Sequence, residues 1–487
     1  MECCTVTFLP TGISTRVTPG TTLLAAQIAA GLHPDAPCGG KGTCGKCRII
    51  VDGREVPACQ TRVQSDMTVT LPGEKKAEIL TAAHSSHWAA DGVDSYAAAF
   101  DIGTTTLVGF LMDGRTGGCL ATASAMNPQI AYGADVIARI QAVMERKADL
   151  QGCILPVLGK MLEELASEAG IAPADITLIT LVGNTAMHHL LLGIDPAPLV
   201  IPPYMPRKTG AMELPAAGLL PIHPKGVLRI LPNIAGFVGA DTVGCLVAAR
   251  FGELEELTLL IDIGTNGEMV LGNRHRRVAC STAAGPAFEG AKISRGMRGC
   301  PGAIDHVTLE KGAISCHVIG GGTAKGLCGS GLLDLVACLL NAGILDDSGY
   351  LAEKSYTVPG TTVSLTQGDV REVQLAKAAI RAGIELLCDH LRVAVGDIRR
   401  VLLAGAFGSY MNPASACRIG MIPPLLESRI VPIGNAAGEG AKACALSREA
   451  FGESKRLAAE TEFLELASKP EFQDRFVDAL EFEEEES

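Results

Sequence analysis

Aromatic residues are scarce in this sequence, at 4%, and there is a single tryptophan, Trp88. Any core must therefore rest on aliphatic packing. No charge-free apolar run reaches the ~18 residues that a membrane-crossing helix needs, so no bilayer span is expected. Basic residues are outnumbered, 41 Lys and Arg against 53 Asp and Glu, for a net charge of −12. Nucleic acid is not an expected partner, because neutralising phosphates takes a basic face. The opening MECCTVTFLP lacks the basic stretch and apolar run of a secretory signal, and a cytoplasmic location is expected.

What is present points to an α/β protein. At 487 residues the chain is too long for one ordinary core, and several domains are expected. Hydrophobic residues at 47% against 19% charged give ample core material, and 56 glycines supply the tight turns of nucleotide-binding domains. Seventeen cysteines in a reducing compartment read as metal ligands or buried thiols. Most stand singly in apolar stretches, as Cys245, Cys338 and Cys388 do, and serve as small buried residues.

One group of cysteines is spaced like ligands: Cys38-Gly-Gly-Lys-Gly-Thr-Cys44-Gly-Lys-Cys47, with Cys59 beyond the strand Arg48–Val51 and its Asp52-Gly53 turn. Three thiolates so close converge only if the backbone wraps tightly, which Gly39, Gly40, Gly42 and Gly45 permit, with amides free to point at sulfide. Three ligands plus one suit a [2Fe–2S] cluster. Structural zinc, the rival, usually takes two C-x2-C knuckles, and this loop has one. Residues 1–72 thus resemble a ferredoxin domain, α+β with a β-grasp fold. Their strands lie at Cys4–Phe8, Thr15–Val17 and Arg48–Val51, with a helix over Thr21–Ala30.

From Tyr96 the texture changes, after a linker at 73–95. A strand runs into Asp101-Ile102-Gly103-Thr104-Thr105-Thr106, and a later one into Asp262-Ile263-Gly264-Thr265-Asn266-Gly267. This internal repeat opens the two halves of a large α/β domain, 96–256 and 257–452, followed by a helical acidic tail at 453–487. Asp at a strand end before Gly-Thr makes a tight hairpin whose hydroxyls and amides face a phosphate. The carboxylate is then placed to hold Mg2+ through water. Val401–Gly408 forms a buried strand entering a glycine turn, with Gly434–Ala441 as a helix start beside it.

These elements resemble the superfamily of actin, sugar kinases and heat-shock-chaperone ATPases, which implies a two-lobed ATPase with duplicated halves. By that resemblance Asp101, Gly103, Thr104 and Thr105 form the first phosphate motif. Asp262, Gly264, Thr265 and Asn266 form the second, and Gly405, Ala406 and Phe407 form the adenosine motif. The expected catalytic set is Asp101, Asp262 and Glu268; Glu268 and Glu289 are both candidates to position water, and the sequence does not choose between them. Gly285–Gly290 and Gly326–Gly331 read as further cleft loops. His188 and His189 read first as structural histidines.

A [2Fe–2S] domain fused to such an ATPase resembles the reductive activators of corrinoid enzymes. That resemblance implies an ATPase and reductase that returns a Co(II) corrinoid to Co(I), using ATP and Mg2+. It also implies a corrinoid protein or corrinoid-dependent methyltransferase as partner and a low-potential electron donor upstream. The alternatives are an ATP-dependent donor to another metalloenzyme, a small-molecule kinase with a redox sensor, and a non-catalytic binding module. Family members commonly carry a middle domain ahead of the first phosphate motif. Only the linker stands there in this chain, so a short form lacking that domain is expected.

Overall fold

The structure is a computed structural model that describes residues 3–483, apart from 33, 35, 37, 43–45, 72–87, 147 and 468. In the N-terminal part, Cys4, Val6 and Phe8 alternate inward along the strand Cys4–Leu9. This strand pairs antiparallel with Ile13–Val17 and parallel with Met67–Thr70. Arg48–Val51 and Arg54–Pro57 complete a five-stranded sheet. The helix Leu23–Ala29 starts at Thr22, whose hydroxyl accepts from the Ala25 amide at 3.2 Å. It packs Leu23 and Ala26 against Phe8, Ile49 and Val69. This is the expected β-grasp, and the helix is shorter than the sequence suggested because Thr22 is its cap.

The rest of the domain is built twice. In the first half Tyr96–Ile102, Thr106–Asp113 and Cys119–Met126 form an antiparallel meander, with Ile176–Gly183 parallel to its first strand. In the second, Thr258–Ile263, Gly267–Gly272 and Arg277–Thr282 do the same, with Arg400–Ala404 parallel to Thr258–Ile263. Each sheet has six strands. Asp101 and Asp262 stand at matching places, opposite Val108 and Glu268 across their hairpins.

A shared apolar core ties the halves together. It holds Phe110 and Val182 from the first sheet, Leu260 and Leu402 from the second, and Leu246 and Cys444 from two helices. Each such aliphatic side chain contributes roughly 1.5–3 kcal/mol on burial. The helices, Ala240–Ala248 and Ala436–Leu446, cross so closely that a Cβ at Gly440 would lie 2.0 Å from the Gly244 carbonyl oxygen. Helix Ala436–Leu446 comes late in the chain but packs against Phe110 of the first half through Gly438. Of the linker, residues 88–95 are described. Trp88 donates its indole N–H to the Val247 carbonyl at 3.1 Å and lies under Arg250, fixing this segment to the first half. Among the described residues no helix is long and apolar enough to cross a membrane.

Candidate functional site

A cleft of about 500 Å³ opens where the ends of the two sheets meet. Asp101, Gly103, Thr104 and Thr105 line it from the first half; Asp262, Gly264, Thr265, Asn266 and Glu268 line it from the second. Gly405 and Phe407 border it as well, in the short helix Gly405–Tyr410 that Ala406 shares. Gly405 takes φ +81°, and a Cβ there would sit 2.7 Å from an Asp262 carboxylate oxygen. Only glycine allows that approach. The Phe407 ring stacks on Phe288, with centroids 4.7 Å apart.

The two phosphate motifs meet on one side chain. Thr105 donates its hydroxyl to Glu289 Oε2 at 2.9 Å, and Thr265 donates to Glu289 Oε1 at 3.0 Å. Asn184, at the cap of the helix Thr185–Leu192, donates its amide to the Thr104 hydroxyl at 3.1 Å. Both candidate cleft loops are where the sequence placed them: Phe288 and Glu289 line the cleft, as do Cys328, Gly329 and Ser330.

One wall is a group of carboxyls. Burial, reinforced by Asp241 and Asp262, pushes Asp101 up to about 7. Burial and then Asp241 push Asp262 up to about 7, and burial raises Asp241 itself to about 6. Glu268 is raised too, by burial first and then by Asp241 and Asp262. Asp241 has no motif around it; it enters as the second residue of the helix Ala240–Ala248, so sequence reasoning missed it. Such a donor set suits a divalent cation, whose charge would relieve this crowding. Among the described residues no three His, Cys, Asp or Glu side chains converge closely enough to enclose a bare ion. Hydrated Mg2+, which keeps several waters, fits the arrangement.

His188 and His189 are both buried. His189 is held between the Thr185 carbonyl at 2.7 Å and the Arg207 amide, which donates to Nε2 at 3.2 Å. His189 is thus a satisfied structural histidine, whereas neither ring nitrogen of His188 has a hydrogen-bond partner among the described residues.

The described part of the cysteine loop turns at the glycines the sequence singles out, and Gly45 lies outside the described residues. Gly39, Gly40 and Gly42 take φ of +59°, +83° and +78°. A Cβ at Gly40 would reach within 3.1 Å of the Leu24 side chain and 4.0 Å of the Cys59 Cβ, so the loop turns back onto the fourth cysteine. Cys47 is buried, and its carbonyl accepts from the Ala58 amide at 2.7 Å, which sets Cys59 beside it. Gln60 donates its side-chain amide to the Gly42 carbonyl at 3.2 Å. Cys38 and Cys59 are half-buried; Cys44 lies outside the described residues, and the three described thiols do not by themselves close a metal site. Glycines in left-handed conformations that bring the loop back to Cys59 fit the tight wrapping a [2Fe–2S] group requires.

Comparison with known proteins gives these features a lineage. Residues 6–75 match the 2Fe-2S iron-sulfur cluster binding domain, 96–253 the RACo middle region, and 256–487 the C-terminal domain of RACo, the ASKHA domain. The corrinoid activation enzyme RamQ of Eubacterium limosum is 36% identical over 78% of this chain and 69% of its own length. A [Co(II) methylated amine-specific corrinoid protein] reductase of Methanosarcina barkeri is 30% identical over 49% of this chain and 46% of its own. A solved structure of a reductive activator for corrinoid, iron-sulfur protein aligns over 98% of both chains, with 29% identity and a TM-score of 0.72.

The match to the middle region overturns one expectation. The chain is not a short form lacking that domain. The region begins at the strand Tyr96–Ile102 and contains Asp101 and Thr105, so it is the first of the duplicated halves. No separate insertion precedes the first phosphate motif, where only the linker stands. With an iron-sulfur domain, this middle region and an ASKHA domain following in order, the chain belongs to the corrinoid-activation family of RamQ and RACo.

Proposed function

We propose that this protein is an ATP-dependent reductive activator that restores Co(I) in a Co(II) corrinoid protein or corrinoid-dependent methyltransferase. It works in the cytoplasm, downstream of a low-potential electron donor. The observation that supports it most is the meeting of Thr105 and Thr265 on Glu289, in a chain that also carries a glycine cradle of cysteines. Two phosphate motifs with one hydroxyl each on the same carboxylate make a clamp for a triphosphate.

In this reading Cys38, Cys44, Cys47 and Cys59 hold a [2Fe–2S] cluster. When bound, such a cluster supplies a single electron, near about −400 mV for plant-type centres. Gly103, Thr104, Thr105, Gly264, Thr265 and Asn266 bind the phosphates, and Gly405, Ala406 and Phe407 border the adenosine. Asp101, Asp241, Asp262 and Glu268 would hold hydrated Mg2+, which would supply charge neutralisation for the phosphates, and Glu289 would orient the attacking water. An uphill electron costs about 1.4 kcal/mol for each ~59 mV. ATP meets that cost by binding two states of the complex unequally.

The test is to mix reduced protein, Mg2+-ATP and a Co(II) corrinoid protein anaerobically and follow the Co(I) absorbance. It should rise with ATP and stay flat without it. If no corrinoid protein yields Co(I) under these conditions, the proposal fails.

A further inference from the structure

The cysteine loop does not hang free of the nucleotide cleft; it touches both halves of the domain that forms it. On the first half, Gly39 lies against the turn Pro128–Tyr132: a Cβ at Gly39 would come within 3.0 Å of the Tyr132 carbonyl oxygen. On the second half, Lys46 donates its ammonium N–H to the Gly296 carbonyl at 2.8 Å.

Each of these contact points is wired to a phosphate motif. On the first half, Asn127 opens the turn and is fully buried. Its side-chain amide donates to the Gly103 carbonyl at 2.8 Å, and its backbone N–H donates to the Thr105 carbonyl at 2.9 Å. Arg139 closes the same turn. Its Nε donates to the Gly133 carbonyl at 3.0 Å and its terminal nitrogen donates to the Thr104 carbonyl. A fully buried guanidinium fork thus joins the end of the turn that meets Gly39 to the hairpin that would hold phosphate.

On the second half, Gly296 lies in the loop that carries Glu289, the side chain clasped by Thr105 and Thr265. That loop leaves little slack. A Cβ at Gly290 would lie 2.5 Å from the Met297 carbonyl oxygen, and Gly296 bridges to Leu327 in parallel register. Met297 and Arg298 themselves line the cleft. Phosphate oxygens arriving between the motifs would compete for the two hydroxyls that Glu289 now accepts from, and so would loosen the hold on Glu289 and its loop.

We propose that Arg139 and Lys46 are positioning residues that strap the cysteine loop across the two halves, so that nucleotide in the cleft alters the surroundings of Cys38–Cys59. The inference rests on the reading that the cleft binds nucleotide. Linkage then works in both directions: if nucleotide changes how readily the cluster is reduced, reduction changes nucleotide affinity by the same factor.

The experiment uses the full-length, cluster-loaded protein without any corrinoid partner. Affinity for the Mg2+ complex of a non-hydrolysable ATP analogue is measured with the cluster oxidised and again after dithionite reduction. The reduced cluster's electron paramagnetic resonance is recorded with and without the analogue. Wild type should show affinities that differ by ~5-fold or more, together with a changed resonance. Lys46→Met and Arg139→Lys should bring the affinity ratio towards one at unchanged iron content, and Lys46→Gln, which keeps an N–H donor, should restore most of it. Lys46 is only partly buried, so its variants test the strap even if Arg139→Lys fails to fold. A wild-type ratio of one overturns the inference, as does a ratio that survives Lys46→Met. Loss of Co(I) formation with the ratio intact would instead count against the proposed function alone.

Discussion

Asp101, Asp241, Asp262 and Glu268 share one wall of the cleft, and each binds its proton more tightly in the fold than in the unfolded chain. The folded state therefore holds extra protons from roughly pH 4 up to about 7, and stability falls as pH rises through that window. His188 acts in the opposite sense. Burial holds it down to about 3, so its contribution is full above about 6.5 and is lost as pH falls towards 3. Between pH 6.5 and 8 His188 no longer contributes and the carboxyls act, opposed only near pH 8 by Lys377, whose burial lowers it to about 8. In EDTA the melting temperature should fall over that interval, and Mg2+ should raise it more at pH 8 than at pH 6.5. Asp241→Asn should flatten both trends; an unchanged pH slope in this variant would remove Asp241 from the cation site. The two glutamates separate in kinetics. Glu289→Gln should lower ATP turnover by ~100-fold or more while the nucleotide still binds. Glu268→Gln should mainly raise the Mg2+ concentration needed. If Glu289→Gln hydrolyses ATP at the normal rate, the attacking water is oriented elsewhere.

At the scale of elements, the crossing of Ala240–Ala248 with Ala436–Leu446 depends on two glycines, Gly440 in the helix start the sequence marks and Gly244, which no motif announces. Gly440→Ala would gain up to ~1 kcal/mol of helix propensity but would drive a Cβ into the Gly244 carbonyl at 2.0 Å. Backbone on both sides leaves nothing to yield, and overpacking of this kind costs about 1–3 kcal/mol or more. The net effect should be a lower denaturation midpoint. Gly452→Ala, in the helix Arg448–Glu460 with nothing within 4 Å of its Cβ, should raise the midpoint instead. The phosphate hairpins and the cysteine loop were legible because a few adjacent residues dictate each of them. Asp241 was not, since a buried acid at a helix start leaves no local pattern. Glu289 could be named from sequence only as one of two candidates. Its link to Thr105 and Thr265 arises from the approach of two distant hairpins.

On the scale of the whole molecule, the repeat of Asp-Ile-Gly-Thr gave away the duplicated halves, and the cysteine spacing gave away the N-terminal fold. The middle region is not a separate block of chain but one of the halves, so nothing in the linker marks it. The packing of the cysteine loop on both halves could not be read either, because it depends on Lys46 meeting a backbone carbonyl, which any residue supplies. Chemistry in this account needs an electron donor and an ATP clamp in one polypeptide. The most direct measurement is metal, sulfide and resonance analysis of the chain purified without oxygen. Iron and acid-labile sulfide should be present in equal amounts, with a resonance that appears on reduction and is absent in Cys59→Ser. Colourless protein that holds zinc and no sulfide would contradict it.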